Sequence, residues 1–215
     1  MLVFMSPTQS ADEPRLRKPE LRAAVRAARA TRRKRSQDPV LTPPAGWDPA
    51  RFHTVLGYAA LPGEPDVDGL LQQMHDAGAE VWLPVTTPHR PLAFARVTGP
   101  LAEIPATGPW GIREPAGPRV GAPELRLGGD GTGREALVLV PGLGFDRTGA
   151  RLGQGAGFYD RTFGPQGLRP LTGTEGTQVV GVCFAAELGV PVDARPWDLR
   201  VPAVLTESGQ HNTDS

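Results

Sequence analysis

The sequence has little cysteine, little lysine and no long apolar run. Cys183 is the only cysteine among 215 residues, so an intrachain disulfide and a cysteine-based zinc site are excluded, and a reducing compartment is expected. No apolar run approaches the roughly 18 residues of a transmembrane helix. The apolar opening, residues 1–5, is too short for a signal peptide and has no basic residue before it. We therefore expect a cytoplasmic protein that does not associate with a membrane.

Glycine and proline, by contrast, are abundant, with 27 and 24 residues. A hydrophobic content of 39%, with four tryptophans and seven phenylalanines, still provides a packed core, so global disorder is not expected and the length suits one domain. The 23 basic and 23 acidic residues cancel overall. Residues 15–35, however, hold ten basic residues, both lysines included, and one acid, so the rest of the chain is net acidic.

The basic segment has the pattern of a helix. Pro19 stands where a first-turn proline belongs, Glu20 follows it, and the alanine-rich run to about residue 35 favours helix. At about 100° per residue, one side of this helix is apolar and a neighbouring side is a cationic stripe. The apolar side holds Leu21, Ala24, Val25 and Ala28, and the stripe holds Lys18, Arg22, Arg26, Arg29 and Arg33. We therefore expect a basic N-terminal helix that packs on one side and presents cations on another.

The rest of the chain alternates strand and helix patterns. A near-continuous apolar run at residues 53–61 predicts a buried strand, residues 66–77 predict a helix, and residues 80–85 predict a second strand. These three elements form a βαβ unit, which implies a parallel strand pair. Further strands are predicted at residues 92–97, 136–140, 179–184 and 201–206.

These elements predict a single three-layer α/β domain, with a central, mainly parallel sheet flanked by helices, over residues 15–207. Residues 1–14 and 208–215 are polar and are expected to be a disordered leader and a disordered tail. Ligands of open α/β sheets bind at the carboxyl ends of the strands, so a site is expected there.

The strongest candidate site follows the predicted strand at residues 136–140. Glycines at 142, 144, 149, 153, 155 and 157 leave backbone N–H groups free to converge on an anion. A helix from about residue 157, together with Arg151 and Arg161, suits phosphate, and Asp146 with Asp160 suits a Mg²⁺ that shares phosphate oxygens. The loop lacks the Gly-Lys-Ser/Thr of a P-loop and the glycine spacing of a dinucleotide fingerprint. An equally supported interpretation is that this loop only forms tight turns and binds no ligand.

The same segment resembles a known family. It is similar to the signature of 5-formyltetrahydrofolate cyclo-ligases, also called 5,10-methenyltetrahydrofolate synthetases, at Pro141, Gly142, Phe145, Asp146, Gly149, Arg151, Leu152, Gly153, Gly155, Gly157, Phe158, Tyr159, Asp160 and Arg161. Three other blocks match in the expected order: Lys18 with Leu21 and Arg22, Tyr58 with Glu64, and Val190-Pro191 followed by Asp198 and residues 204–207. The resemblance spans about residues 17–207.

The resemblance implies an ATP- and Mg²⁺-dependent enzyme that closes 5-formyltetrahydrofolate to 5,10-methenyltetrahydrofolate and releases ADP and phosphate. In the family mechanism the formyl oxygen attacks the γ-phosphoryl group, N10 attacks the activated carbon, and phosphate departs. A formamide oxygen is a poor leaving group, so phosphorylation precedes cyclisation, and the protein positions the reactants and neutralises phosphate charge. We expect a monomer whose partner is a reduced folate, with no nucleic-acid or membrane partner.

The resemblance also implies a role for each matching residue. ATP would be bound by Lys18, Arg22, Arg151, Gly153, Gln154, Gly155, Gly157, Phe158 and Tyr159, and the folate by Ala59, Glu64, Trp110, Gln154, Gly155 and Ala156. The magnesium carboxylates would be Asp160 and Asp198, and the catalytic residues Arg151 and Asp160.

Without the family, these residues have ordinary interpretations. Lys18 and Arg22 would lie on a solvated helix face, Glu64 in a turn, Asp198 at a cap and Trp110 in the core. Tyr58 and Cys183 are expected in the core, and the four histidines lack metal-ligand spacing, so they are expected to be structural or solvent-facing.

Four positions depart from the family pattern. Gln154 stands where the family usually has Tyr or a basic residue, Phe158 replaces the commoner Tyr, Glu187 stands where Gln is expected, and Pro202 stands where Asp is common. These changes leave the phosphate and metal pattern whole. Two alternative functions stay open: a diverged, non-catalytic family member, and a nucleic-acid-binding protein that uses the basic helix but lacks interleaved aromatic residues.

Overall fold

A computed structural model describes residues 17–35, 39–44, 46–87 and 90–214. The strands are β1 Phe52–Leu56, β2 Glu80–Val85, β3 Ala93–Arg96, β4 Arg119–Gly121, β5 Glu135–Pro141, β6 Gly144–Phe145, β7 Arg151–Leu152, β8 Thr177–Val182, β9 Ala203–Thr206 and β10 Gly209–Asn212. The helices are α1 Lys18–Lys34, α2 Asp68–Asp76 and α3 Phe158–Phe163. No helix within these ranges has the length and apolar character needed to cross a membrane.

Eight strands form one sheet in the order β10-β9-β8-β5-β1-β2-β3-β4, and β6 and β7 form a separate hairpin. The five strands β9, β8, β5, β1 and β2 are mutually parallel, and the antiparallel strands β10, β3 and β4 extend the two edges. The predicted βαβ unit is confirmed as β1-α2-β2, with Thr54 aligned to Glu80 and Leu56 to Trp82. The prediction of a mainly parallel sheet is therefore confirmed.

The helices α2 and α3 pack on opposite faces of the sheet. Leu71 and Met74 of α2 share one apolar cluster with Val55 of β1, whereas Phe163 of α3 lies in a second cluster with Val138 of β5. All of these side chains are fully buried, because the central parallel strands are covered on both faces. The predicted three layers are confirmed.

The helix α1 packs beside the carboxyl end of the sheet and not on either face. Its buried Leu21 and Val25 contact Leu143, Leu152 and Val190, which belong to the β6–β7 hairpin region and the segment after β8. The predicted apolar side therefore exists, and it attaches the helix to the loops that follow the parallel strands. Pro19 lies in the first turn, as predicted.

The prediction of a disordered tail over residues 208–215 is wrong for its central part. Gly209–Asn212 is strand β10, which pairs antiparallel with β9 through the two-residue turn Glu207-Ser208. Gly209 adopts a φ of 123°, which a glycine tolerates, and the Thr206 hydroxyl hydrogen-bonds within the turn. An edge strand keeps one face in water, so polar composition did not exclude it. The predicted leader, residues 1–14, lies outside the described residues.

Candidate active site

A single cleft of about 800 Å³ collects the predicted site residues at the carboxyl end of the parallel strands. Its walls come from α1, from the segments after β1, β2, β3, β5 and β8, and from the stretch that runs from β7 into α3. Every residue that the family resemblance assigns to the site lies on these walls, whereas Asp146 and Arg161 do not: the lining includes Lys18, Arg22, Ala59, Glu64, Trp110, Arg151, Gly153, Gln154, Gly155, Ala156, Gly157, Phe158, Tyr159, Asp160 and Asp198. Segments far apart in sequence thus meet at one surface.

Residues 153–157, which are Gly153, Gln154, Gly155, Ala156 and Gly157, are called the glycine loop here. Glycine is needed at its three glycine positions for different reasons. A Cβ on Gly153 would lie 2.8 Å from Nη1 of Arg151. Gly155 and Gly157 have φ values of 109° and 69°, a region that favours glycine. The backbone of this loop consequently stays uncovered along the cleft, as the phosphate hypothesis requires.

Two of the earlier glycines serve packing instead of the cleft. A Cβ on Gly144 would lie 2.6 Å from the backbone oxygen of Glu187, and one on Gly149 would overlap the backbone oxygen of Val201. Neither glycine lines the cleft. The glycine-rich segment therefore borders the cleft at Gly142 and along its second half.

Arg151 lies at the centre of the cleft and is paired with Asp160. Its Nη2 contacts both carboxylate oxygens of Asp160 at 3.2 Å, and its Nη1 donates to the backbone oxygen of Pro141 at 3.2 Å. The guanidinium also lies 5.1 Å from the ring centroid of Tyr159. Its Nε is buried and has no hydrogen-bond partner. A buried cation with an unused donor is suited to an anionic ligand, because an unpaired buried N–H is costly.

The helix α1 brings two more cations to the same end of the cleft. Lys18 Nζ lies 2.5 Å from Oδ2 of Asp198, and Arg22 Nε donates to the backbone oxygen of Gly153 at 2.8 Å. The cationic stripe predicted on α1 therefore turns into the cleft at these two positions. The interpretation of Lys18 and Arg22 as a solvated face does not describe their contacts.

Asp160 and Asp198 lie close together. Asp160 Oδ1 accepts a hydrogen bond from the N–H of Leu199, the residue after Asp198, at 3.1 Å. The described residues contain no group of three or more metal-ligating side chains. Magnesium commonly binds one or two carboxylates together with phosphate oxygens and water. The two carboxylates therefore fit a Mg²⁺ that also binds phosphate oxygens, and they do not form a complete metal site by themselves.

Asp146 does not join this pair. Its Oδ1 accepts from the N–H groups of Thr148 and Ala150 at 2.9 and 2.8 Å and from the Thr148 hydroxyl at 2.8 Å. It caps its own turn and does not line the cleft. The prediction that Asp146 and Asp160 share a magnesium is not supported by this geometry.

The other end of the cleft is largely apolar. Leu92 and Ile112 line it with Ala59 and Tyr58. Tyr58 is buried, as expected, but it also borders the cleft, and its hydroxyl donates to the backbone oxygen of Pro65 at 2.7 Å. Burial raises the pKa of Tyr58 well above its ordinary value, and nearby Glu64 adds to that increase. The phenol therefore stays neutral and acts as a wall.

Trp110 stands at this apolar end with an unusual backbone. Its φ of 58° is the only positive value for a non-glycine residue in the described chain, and its side chain is 71% exposed. The interpretation of Trp110 as core is therefore wrong. A large apolar surface exposed inside a cleft suits a flat ligand.

Gln154 spans the mouth of the cleft. Its amide nitrogen donates to Oε1 of Glu64 at 2.9 Å, and its amide oxygen accepts from Arg26 at 2.9 Å. Glu64 also accepts from the N–H of Leu61 through Oε2 at 3.1 Å. The sequence places Arg26 in the cationic stripe but does not assign it to the site, because a helix repeat cannot show which stripe member reaches the loop.

The positions of the remaining residues confirm some predictions and contradict others. Cys183 is fully buried, as expected, and burial raises the pKa of its thiol. Arg29, predicted in the cationic stripe, is instead buried and paired with Glu187, with Nε to Oε1 at 2.8 Å and Nη2 to Oε2 at 2.7 Å. His53 contacts the backbone oxygen of Gly128 at 2.7 Å, a structural setting, and His89 lies outside the described residues.

Comparison with known proteins identifies the family. Residues 9–207 match the model of the 5-formyltetrahydrofolate cyclo-ligase family. Curated 5-formyltetrahydrofolate cyclo-ligases include one from Mycolicibacterium smegmatis, 35% identical over 71% of this chain and 73% of the relative, and one from Escherichia coli K12, 33% identical over 73% and 79%.

Solved structures agree with this result. The NMR structure of Aquifex aeolicus 5,10-methenyltetrahydrofolate synthetase has 25% identity and a TM-score of 0.57, and the match covers 91% of this chain and 92% of that one. A Mycoplasma pneumoniae 5,10-methenyltetrahydrofolate synthetase has 16% identity, a TM-score of 0.57 and coverage of 89% and 99%, and it shares the fold. The family match covers most of the chain, and the chain belongs to the 5-formyltetrahydrofolate cyclo-ligase family.

Proposed function

We propose that this enzyme uses ATP and Mg²⁺ to close 5-formyltetrahydrofolate to 5,10-methenyltetrahydrofolate, with release of ADP and phosphate. One observation carries the proposal. The same cleft is lined by the cations Lys18, Arg22 and Arg151 around uncovered loop backbone and by an apolar surface that includes Trp110, with the carboxylate of Glu64 bound to the loop residue Gln154. A triphosphate and a pterin ring need these two environments side by side.

The cationic end supports an ATP role for the α1 and loop residues. Lys18, Arg22 and Arg151 would neutralise the phosphate oxygens, and Gly153, Gly155 and Gly157 would let backbone N–H groups approach them. Gln154, Phe158 and Tyr159 line the same wall and would contact the nucleotide. Burial raises the pKa of Tyr159, and although Arg151 opposes the increase, the hydroxyl stays a neutral donor.

The apolar end supports a folate role for the residues after β1 and for Trp110. Glu64 has two accepting oxygens, which suit the paired N–H donors of a pterin ring. Ala59 leaves room beside it, and Trp110 offers a flat face. Gln154, Gly155 and Ala156 also line the cleft, and in this proposal the formyl group would meet the terminal phosphate beside them.

The chemistry needs activation before ring closure. The formyl oxygen attacks the γ-phosphoryl group and ADP leaves; N10 then attacks the activated carbon, and phosphate departs with the former formyl oxygen. Arg151 would stabilise charge on the transferring group through its guanidinium, and Asp160 would hold the guanidinium in place by accepting from Nη2. Bound at Asp160 and Asp198, Mg²⁺ would neutralise phosphate charge.

The test is a cyclisation assay on the purified protein. We expect near-ultraviolet absorbance of the methenyl product to develop only when 5-formyltetrahydrofolate, ATP and Mg²⁺ are all present. Arg151→Lys keeps the charge but removes the planar contact with Asp160, so kcat should fall by roughly two orders of magnitude. Arg96→Lys is the matched control, because Arg96 is half-exposed and pairs with Glu80 outside the cleft. Absence of turnover by folded protein with intact substrates would contradict the proposal.

A further inference from the structure

Arg29 and Glu187 form a buried bridge between α1 and the body of the protein. Their side chains are 6% and 5% exposed, and two hydrogen bonds of 2.8 and 2.7 Å join them. Arg29 Nη2 also donates to the backbone oxygen of Gly142 at 2.8 Å. Because Gly142 follows β5, the bridge joins α1 to the start of the glycine-rich segment.

Glu187 is itself fixed on the far side of this bridge. Its Oε2 accepts from the N–H of Phe184 at 3.1 Å, in the turn after β8, and its Oε1 lies 3.6 Å from Nη2 of Arg32. The guanidinium of Arg32 lies 3.8 Å from the ring centroid of Phe184. Glu187 does not line the cleft. Arg29 and Gly142 do line it, so a change at this carboxylate reaches a ligand through Arg29, through the Gly142 turn that Arg29 holds, or through the helix.

The geometry of α1 makes this attachment important for the cleft. Lys18 and Arg22 precede Arg29 by eleven and seven residues on the same helix, which corresponds to about 16 and 10 Å along its axis. A tilt of about 5° at Arg29 would move Lys18 by about 1.4 Å. A misplacement of about 1 Å can cost about 100-fold in rate. The other attachments of α1 are a small apolar cluster and the contacts of Lys18, Arg22 and Arg26 with Asp198, Gly153 and Gln154, which themselves lie in the cleft.

We propose that Arg29 and Glu187 are positioning residues that set the α1 cations and the Gly142 turn around the phosphates of ATP. This inference rests on the proposed function, since it assumes that the cationic end of the cleft binds a nucleotide. The bridge needs a full carboxylate, because both of its oxygens accept from Arg29. Glutamine, the residue expected here from the family pattern, offers one accepting oxygen only.

The experiment compares stability with nucleotide affinity in three variants. Glu187→Gln and Glu187→Leu each leave Arg29 without its full partner, and both should lower Tm and weaken binding. The double variant Arg29→Met/Glu187→Leu replaces the pair by apolar residues of similar size, which often restores stability. We measure Tm, the Kd of MgADP and of a non-hydrolysable ATP analogue by titration calorimetry, and KM for both substrates.

A positioning role predicts that the Glu187 variants, which keep the Arg29 cation in the cleft, raise the nucleotide Kd and the KM for ATP at least tenfold, and that both constants stay raised when the double variant regains most of its Tm. The KM for the folate should change less than twofold. Recovery of nucleotide affinity together with Tm would overturn the proposal, as would an equal rise in KM for both substrates. The control is Arg96→Met/Glu80→Leu, an exposed pair away from the cleft, which should leave nucleotide affinity unchanged.

Calorimetry separates this inference from the proposed function. If the parent protein binds nucleotide but does not close the folate ring, the proposed function fails, and the nucleotide affinities still decide whether the bridge positions the helix. If the parent protein binds no nucleotide, both proposals fail.

Discussion

Replacing Gly153 by alanine adds one methyl group where the structure leaves no room for it. The new Cβ would lie 2.8 Å from Nη1 of Arg151 and 3.0 Å from its Cζ and Nη2. The backbone of Gly153 does not have positive φ, so alanine is compatible with the chain conformation. The substitution should therefore change activity and stability only by displacing the guanidinium of Arg151.

Arg151 resists this displacement because it is held in place. Its side chain is 6% exposed and is bound to Asp160 and to the backbone oxygen of Pro141. Overpacking of one methyl group costs about 1–3 kcal/mol. If the transition state loses this energy, kcat/KM falls by about 5- to 150-fold. The end of an arginine can move, so we expect most of the cost in activity and a decrease in Tm of a few degrees at most.

The assay measures kcat/KM for ATP and Tm side by side. Gly99→Ala is the matched control, because Gly99 has ordinary φ and a Cβ added there would meet no atom within 4 Å. It should leave both quantities unchanged. If Gly153→Ala retains kcat/KM within twofold, Arg151 is not held at the reacting phosphate and the reasoning is refuted.

The remaining predictions address the metal, the folate, the thiol and the response to acid. Asp198→Asn should raise the Mg²⁺ concentration for half-maximal activity at least tenfold, measured by magnesium titration, and an unchanged requirement would remove Asp198 from the metal site. Glu64→Gln should raise KM for the folate about tenfold while KM for ATP changes less than twofold, because the amide oxygen can still accept from Gln154 whereas the folate loses a carboxylate; equal changes would argue against a folate role. Cys183 should resist iodoacetamide at neutral pH until the protein is unfolded, because burial raises the pKa of its thiol, and rapid labelling of the native protein would contradict this. Hydrogen bonds from the Thr132 side chain and backbone lower the pKa of Asp130 from 3.8 to about 2, so its stabilising contribution should be complete above pH 3.8 and be lost as pH falls toward 2; a carbon-detected NMR titration with an ordinary midpoint would refute it.

Sequence patterns predicted the sheet and the position of the site because both depend on local signals. The apolar runs that form β1 and β5 are almost entirely buried, β2 alternates buried and half-buried residues, and the glycine-rich segment follows β5 directly. The carboxyl ends of parallel strands meet at one edge, so residues from distant segments can be placed together from the strand pattern alone. The roles of these residues came from the family resemblance and not from periodicity.

Pairings that depend on tertiary contacts were not predictable in the same way. Arg22 and Arg29 lie two turns apart on the same side of α1, so the helical repeat does not distinguish them. In the structure Arg29 is buried against Glu187, whereas Arg22 reaches Gly153. The sequence does not distinguish Asp146 from Asp160, because both are carboxylates in a glycine-rich segment. In the structure, the Asp146 carboxylate accepts hydrogen bonds within its own turn. Strand β10 was missed because its polar residues suit an exposed edge.

The most direct test of the account is to follow the formyl oxygen. The purified enzyme is incubated with 5-formyltetrahydrofolate carrying ¹⁸O in the formyl group, with ATP and Mg²⁺, and the released phosphate is analysed by mass spectrometry. Unreacted substrate is analysed alongside it to confirm that the label is retained. Our account predicts one labelled oxygen in the phosphate for each methenyl product formed. Methenyl product accompanied by unlabelled phosphate would contradict it.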